Sequence, residues 1–276
     1  MRGLTDKIVI VTGGGSGLGR GMAKRLAAEG AIIAIFDIDK KGAAATLEDI
    51  DQGASYEVDI SNYESCETAV AKVVKDFGRL DILVNNAGWD LAAPFMDTQP
   101  ELWTKIVAIN LFGPMNMHHT TIPYMLKIGR GKIINIASDA GRVGSAGEAV
   151  YSACKGGIIA FTKTLSREIS RKGININTVC PGPSDTPLFA QFAGPGESGE
   201  KLRASLARAI PLKRLGTPED VARITVFLVE KPDRPFAQEI DKKHFPAGPP
   251  TKSWIYVAGL FRPDVKVEIE AIAAVP

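Results

Sequence analysis

Cysteine is scarce in this chain and follows no pattern. Its 276 residues include three, Cys66, Cys154 and Cys180, with no CxxC spacing. That excludes a disulfide framework and leaves no zinc-type ligand set, so no metal is expected. A charge imbalance is missing too. Thirty-three basic residues against 31 acidic ones leave a net charge of +2, and nothing in bulk points to nucleic acid or an anionic membrane. No apolar run reaches the roughly 20 residues of a membrane span. The chain passes from Met1 straight into a strand-like segment, without a signal-peptide pattern. These absences give the expectation of a cytoplasmic protein with no nucleic-acid or membrane partner. Apolar residues at 45% and charged residues at 23% are enough for a sizeable core.

Alternation is what the sequence does have. Short Ile- and Val-rich runs at 8–12, 31–37, 55–59, 80–85, 132–137 and 174–179 suit strands buried on both faces. Helix-like stretches at 17–29, 40–50, 62–77, 101–126 and 150–171 separate them. Strand and helix in turn predict a doubly wound parallel sheet of the Rossmann type, a three-layer α/β/α domain. Ligands of such sheets bind beyond the carboxyl ends of the strands. The character changes near Glu230, since seven of the 17 prolines lie in residues 230–276. Proline breaks helices and central strands. The expected organisation is therefore one domain over 1–229 and a divergent Pro-rich tail over 230–276, with one strand-like run at 254–261.

The first strand runs into Thr12-Gly13-Gly14-Gly15-Ser16-Gly17-Leu18-Gly19, which opens a helix. A glycine turn lets backbone approach phosphate oxygens, and a helix N-terminus attracts their charge. The spacing is TGxxxGxG rather than GxGxxG. Arg20-Gly21 stands where a P-loop requires Lys-Ser/Thr, which counts against ATP or GTP. Asp37 ends the second strand, 18 residues after Gly19. It is placed to accept from the hydroxyls of an adenosine ribose and to repel a 2′-phosphate. Asp39 adds charge of the same sign, and Ser16 offers no cation. NAD is expected rather than NADP.

Tyr151 and Lys155 stand four apart at the start of a helix-like stretch and so share a face. A phenol ionises near pH 10, and a neighbouring ammonium is expected to bring it lower for acid–base work. Ser138, at the end of the preceding strand, can hold the substrate oxygen beside Tyr151.

Thr12–Gly19, Asp59, Asn85-Asn86-Ala87-Gly88, Asn110, Ser138, Tyr151, Lys155 and Pro181-Gly182 together resemble the short-chain dehydrogenases/reductases, in that family's order over about residues 5–229. The resemblance implies nicotinamide-dependent oxidation or reduction at a CH–OH carbon. It implies that Thr12, Gly13, Gly15, Ser16, Gly17, Leu18 and Gly19 form the pyrophosphate turn. Asp37 and Ile38 would lie along the adenosine, Asp59 with Ile60 at the adenine edge, and Asn86, Ala87 and Gly88 against the ribose. Tyr151 would be the general acid/base. Lys155 would hold the nicotinamide ribose, Ser138 would orient the carbonyl, and Asn110 would support a proton-relaying water. Pro181 and Gly182 would also bind the cofactor, and Thr186 would hold the nicotinamide carboxamide, with residues 184–214 as a substrate lid.

Further segments resemble the 2-hydroxycyclohexanecarboxyl-CoA dehydrogenase group within that family. They include Gly88-Trp89-Asp90, Met117-His118-His119, Ser138–Ser145 and Gly147-Glu148-Ala149-Val150-Tyr151. This implies a cyclic β-hydroxyacyl-CoA as substrate, with Trp89 and Arg142 as candidate contacts beside Ser138 and Tyr151, in a homotetramer or dimer. Adjacent His118 and His119 diverge by about 100° on a helix and are not expected to be ligands together. The lid cations Lys201, Arg203, Arg208, Lys213 and Arg214 are expected mainly as a solvated face, with CoA phosphates as the other reading. A 3-oxoacyl-(acyl-carrier-protein) reductase shares the catalytic residues and is the enzymatic alternative. A non-catalytic NAD-binding subunit is the alternative of another class. The family's usual TGQ loop and final GG strand do not follow Phe227-Leu228-Val229.

Overall fold

A computed structural model describes residues 4–210 and 212–229. The expected tail at 230–276, including its strand-like run, lies outside the described residues. Strands β1 (Ile8–Thr12), β2 (Ile32–Asp37), β3 (Gly53–Glu57), β4 (Ile82–Asn85), β5 (Gly131–Ile136) and β6 (Ile174–Val179) form one sheet among the described residues. Their order is β3-β2-β1-β4-β5-β6, and every pairing is parallel. The order reverses between β1 and β4, and this opens a crevice at their carboxyl ends.

Alternation along β1 explains the layering. Val9 and Val11 face one helical layer with Met22, Ala23 and Leu26 of α1 (Gly17–Ala28) and Val221 and Ala222 of α10 (Pro218–Val229). Ile8 and Ile10 face the other, with Val70 and Val73 of α3 (Tyr63–Phe77) and Met117 and Met125 of α5 (Gly113–Lys127). Each fully buried Val, Ile or Leu contributes roughly 1.5–3 kcal/mol, so both faces of the central strands anchor the fold. Helix α2 (Lys40–Glu48) begins at the N-cap Asp39, whose carboxylate accepts from Lys41 N. Asn62 caps α3 in the same way, accepting from Ser65 N.

Two expectations need correction. Strand β3 starts and ends two residues earlier than expected. Its ladder to β2 pairs Gly53 with Ile33 and Glu57 with Asp37, which leaves Asp59 beyond the strand. The long helix expected over 101–126 is broken. Helix α4 (Pro100–Val107) passes through a turn of π-helix at Ala108–Phe112 before α5 begins. Such a turn inserts one residue into the i→i−4 ladder and commonly marks a functional position. Asn110 sits in it. Helices α6 (Ala140–Val143) and α7 (Ala149–Ile169) follow β5, and α8 (Pro187–Ala193) and α9 (Glu197–Ala209) occupy the expected lid.

Candidate active site

The glycine turn and its neighbours are locked together by backbone and short side chains. Gly13 N donates to Phe36 O at 2.7 Å. A Cβ on Gly19 would stand 2.0 Å from Gly13 O, so only glycine lets α1 begin this close to the turn. Thr12 Oγ1 accepts from the backbone N–H of Asn86 and of Ala87 at 2.9 and 3.0 Å. Asn86 Nδ2 returns to Thr12 O and Gly13 O at 3.0 and 3.2 Å. Thr12 and Asn86 thus spend their side chains bracing the ends of β1 and β4. Asp37 Oδ2 accepts from Gly15 N at 2.8 Å and its Oδ1 from Asp39 N at 2.9 Å. Ile38, next to it, is an isoleucine left 70% exposed. Asp59 Oδ1 takes both the N–H and the hydroxyl of Ser61, while Ile60 is buried and its carbonyl accepts from Asn116 Nδ2 at 2.9 Å.

Across the crevice, α7 presents Glu148 (at its N-cap), Tyr151 and Lys155 at i, i+3 and i+7, one face of the helix. Ser138 lies within hydrogen-bonding reach of the Tyr151 phenol. Lys155 Nζ is 5.3 Å from the Tyr151 ring centroid and donates to Ile136 O at 3.1 Å. Asn110 is fully buried. Its Nδ2 donates to Trp89 O at 2.6 Å and Ile106 O at 2.9 Å, and its Oδ1 accepts from Trp89 N at 3.3 Å. A Cβ on Gly88 would meet Asn110 Oδ1 at 2.9 Å and Lys155 Nζ at 3.4 Å, so these two groups converge beside Gly88.

The electrostatics differ from expectation at one point. Burial pushes the Tyr151 phenol above its ordinary range, and the Glu148 charge pushes the same way. The Ser138 hydrogen bond opposes them. Burial also lowers Lys155, to about 8. The expected depression of Tyr151 by Lys155 is therefore not the dominant effect here, because both groups lose hydration and the ammonium is aimed at a carbonyl.

Gly182 has open space where a side chain would stand, and a Cβ on Gly17 would lie 3.5–3.7 Å from Pro187 and Thr186 atoms. The start of the lid thus meets the glycine turn. Asp139 N donates to Pro181 O at 2.9 Å. Thr186 caps α8, accepting from Phe189 N at 3.2 Å. Trp89 is only partly buried, with Lys105 Nζ 3.8 Å above its ring. Arg142 stands near Ser138 but lies 3.7 Å from Asp139 Oδ1. On the lid, Arg203 pairs with Asp185, Lys201 with Glu197 and Arg214 with Asp220. His118 is buried and pushed down to about 4 by desolvation. It packs at 5.1 Å from the Phe161 ring and contacts Pro114 O and Asn135. His119 meets Tyr63 OH at 2.7 Å, on a separate face. No group of three or more metal-capable side chains gathers among the described residues. Within them no helix is long and apolar enough to cross a membrane.

One pair of residues was given no role from sequence. Asp90 is 8% exposed and Glu148 lies within hydrogen-bonding reach of it. Both charges act on Tyr151. The available signal was Glu148 three residues before Tyr151 on one helix face. Nothing in the sequence placed Asp90 against it.

The family model for short chain dehydrogenases matches residues 7–194. The chain belongs to that family. It is thus an oxidoreductase that works with a nicotinamide cofactor on a secondary alcohol or the matching ketone. Among its relatives, an acetoacetyl-CoA reductase of Shinella zoogloeoides is 38% identical, covering 81% of this chain and 90% of that one. A 3-oxoacyl-(acyl-carrier-protein) reductase of Thermotoga maritima is 33% identical, covering 82% and 91%. Of the solved structures, levodione reductase superposes with a TM-score of 0.79 at 32% identity, covering 82% of this chain and 91% of that one. A 3-ketoacyl-(acyl-carrier-protein) reductase from Brucella melitensis, complexed with NADH, gives 0.76 at 32%, covering 83% and 92%.

Proposed function

We propose that this short-chain dehydrogenase oxidises a cyclic β-hydroxyacyl-CoA, of the 2-hydroxycyclohexanecarboxyl-CoA type, to its β-ketoacyl-CoA with NAD. Support for NAD comes from Asp37. Its carboxylate ends β2 and is fixed against the glycine turn by Gly15 N, where it favours free ribose hydroxyls over a 2′-phosphate. The residues present fit a dinucleotide. Glycines keep the turn clear, Ile38 offers an apolar face beside Asp37, and Gly182 leaves space at the opposite wall. Gly13, Gly15, Ser16, Gly17, Leu18 and Gly19 would hold the pyrophosphate. Asp59 and Ile60 would meet the adenine, Ala87 and Gly88 the ribose, and Pro181 and Thr186 the nicotinamide end. When bound, the nicotinamide supplies the hydride acceptor at its C4.

The protein's own chemistry is proton handling and positioning. Ser138 and Tyr151 share the substrate oxygen. Tyr151 first releases its own phenolic proton to solvent past Lys155 and Asn110, and the phenolate then takes the carbinol proton as the C–H bond breaks. Lys155 fixes the geometry beside Tyr151, and the Asn110 carboxamide oxygen faces the same space. The one observation that carries the reaction class is this joint placement of Ser138, Tyr151 and Lys155 on the crevice wall. Support for a β-carbonyl thioester comes from relatives whose names specify acetoacetyl-CoA or 3-oxoacyl chains. Support for a ring comes from the Gly88-Trp89-Asp90 and Gly147–Tyr151 segments.

Initial rates with NAD and NADP on 2-hydroxycyclohexanecarboxyl-CoA and 3-hydroxybutyryl-CoA, and with NADH and NADPH on a 3-oxoacyl-carrier-protein, test the reading. A kcat/KM highest for the ring thioester with NAD is expected. A highest value for carrier-protein reduction with NADPH would instead establish the reductase that the relatives suggest.

A further inference from the structure

The crevice holds an acid pair that the chemistry above does not use. The loop after β4 is pinned to the turn before α7 by Ala93 N donating to Gly147 O at 2.9 Å, with Gly147 at φ +82. That bond seats Asp90 beside Glu148, and both line one small cavity with Leu102, Trp103 and Ile106. Asp90 is more than nine-tenths buried, and its Oδ2 has no hydrogen-bond donor. A buried carboxylate oxygen without a donor is costly. Two carboxyls in hydrogen-bonding reach can satisfy each other only around a shared proton. The groups facing Asp90 from α7 are Glu148, Tyr151, Cys154 and Lys155. The cavity-lining residues from α4 are Leu102, Trp103 and Ile106, none of them charged. Among the described residues Lys155 is the cation that acts on Asp90, and it is held by Ile136 O; Lys105 of α4 lies over the ring of the neighbouring Trp89.

We propose that Asp90 and Glu148 form a specificity filter beside the reacting oxygen, admitting substrates whose β-carbonyl is uncharged, such as a thioester or ester, and rejecting the free carboxylic acid. The inference rests on the β-hydroxyacyl reading and sharpens it. In a β-hydroxy acid the carboxyl group lies one carbon from the carbinol. With the oxygen held by Ser138 and Tyr151, a substrate turned toward the N-terminus of α7 would bring that group up to Glu148, three residues before Tyr151 on the same helix face. An anionic carboxylate there meets like charge from Glu148 and Asp90 in a poorly hydrated site, where repulsion is strong. A thioester carbonyl meets none, and the proton held by the pair can be donated to it. Burial and the neighbouring Glu148 push Asp90 up to about 6, so Asp90 ionises, and the filter becomes stricter, as pH rises through that value.

The test uses oxidation of 2-hydroxycyclohexanecarboxylate and of its N-acetylcysteamine thioester, with both NAD and NADP, by the full-length wild type, Asp90→Asn and Glu148→Gln. NADH fluorescence titration first verifies that each variant has a formed cofactor site, and Glu148→Ser or Asp90→Ser replaces any that does not. The thioester-to-acid ratio of kcat/KM should fall tenfold or more in either variant. In the wild type that ratio should climb between pH 6 and 8, and in Asp90→Asn it should stay flat. A fall of less than tenfold, or an unchanged pH profile, overturns the filter. If the wild type oxidises neither ring compound, the ring reading fails on its own. The same ratio is then measured on the 3-hydroxybutyryl thioester and 3-hydroxybutyrate, which carry the same charge contrast. No turnover of that pair either overturns the filter together with the β-hydroxyacyl reading.

Discussion

Two buried polar clusters lie along the same face of α7, and they have been built to opposite ends. The inner one joins Asn85, Asn135, His118 and Thr162. Asn85 Nδ2 donates to Asn135 Oδ1 at 3.0 Å, and Asn135 Nδ2 donates to Thr162 Oγ1 at 2.8 Å. His118 closes the set with Pro114 O at 2.7 Å. The outer one joins Ser138, Tyr151, Lys155, Asp90 and Glu148. Thr162 and Lys155 are seven residues apart on one helix face, so a single helix serves both. The inner cluster is neutral and largely satisfied, and it ties β4 and β5 to α5 and α7. The outer cluster holds a lowered ammonium, a raised phenol and a carboxylate oxygen with no donor. Buried polar groups that are paired specify a fold, whereas groups held short of satisfaction are poised for a ligand.

The sharpest break of that contrast is Tyr151→Phe. It should lower kcat by roughly 10²–10⁴-fold and leave NADH affinity and Tm nearly unchanged, as stopped-flow turnover and fluorescence titration will read. Asn135→Leu should do the reverse. It strands the partners Asn85 and Thr162, and should cost about 2–4 kcal/mol in urea unfolding with a much smaller change in kcat.

The pH dependence of stability should separate the clusters by sign. His118 ordinarily titrates near 6.5 and is held down to about 4. Between these values the unfolded chain binds the extra proton, so this group's contribution is present above pH 6.5 and lost as pH falls toward 4, about 3 kcal/mol in all. Asp90 runs the other way. Its folded value, about 6, lies above its ordinary 3.8. Its contribution is thus most favourable below 3.8 and is lost as pH rises through 6. Asp90→Asn should therefore raise stability at pH 8 by about 2–3 kcal/mol, while His118→Asn should flatten the acid limb. Equal slopes for the two variants in urea melts from pH 4 to 8 would dissolve the comparison. The smallest expected effect is Thr162→Val, which removes one acceptor from Asn135 and should cost about 1–2 kcal/mol in the same melts.

Much of this was legible from residues alone. β1 and β6 fall where the Ile/Val runs put them, because strands buried on both faces tolerate little else. The glycine turn was legible because the close approach of α1 at Gly19 excludes a Cβ. Tyr151 and Lys155 were legible because i and i+4 share a helix face whatever surrounds them. The π turn at Ala108–Phe112 was not. Its residues are ordinary helix formers, and the break is tied to the bonds of Asn110 with the backbone of Trp89, 21 residues away in the chain. The two-residue offset of β3 was hidden as well, since its register depends on pairing with β2 and its own residues set no preference.

The sequence by itself determined the doubly wound parallel sheet, the glycine turn with its acidic partner Asp37, and the tyrosine–lysine face of α7. All of these follow from local sterics and from periodicity over a few residues. Only the tertiary structure decided that Asp90 meets Glu148, that Asn110 turns toward Gly88 and Lys155, and that burial outweighs the ammonium at Tyr151. Those outcomes depend on how much water remains around each group and on which distant segment packs against it, and neither quantity is written in a stretch of neighbouring residues.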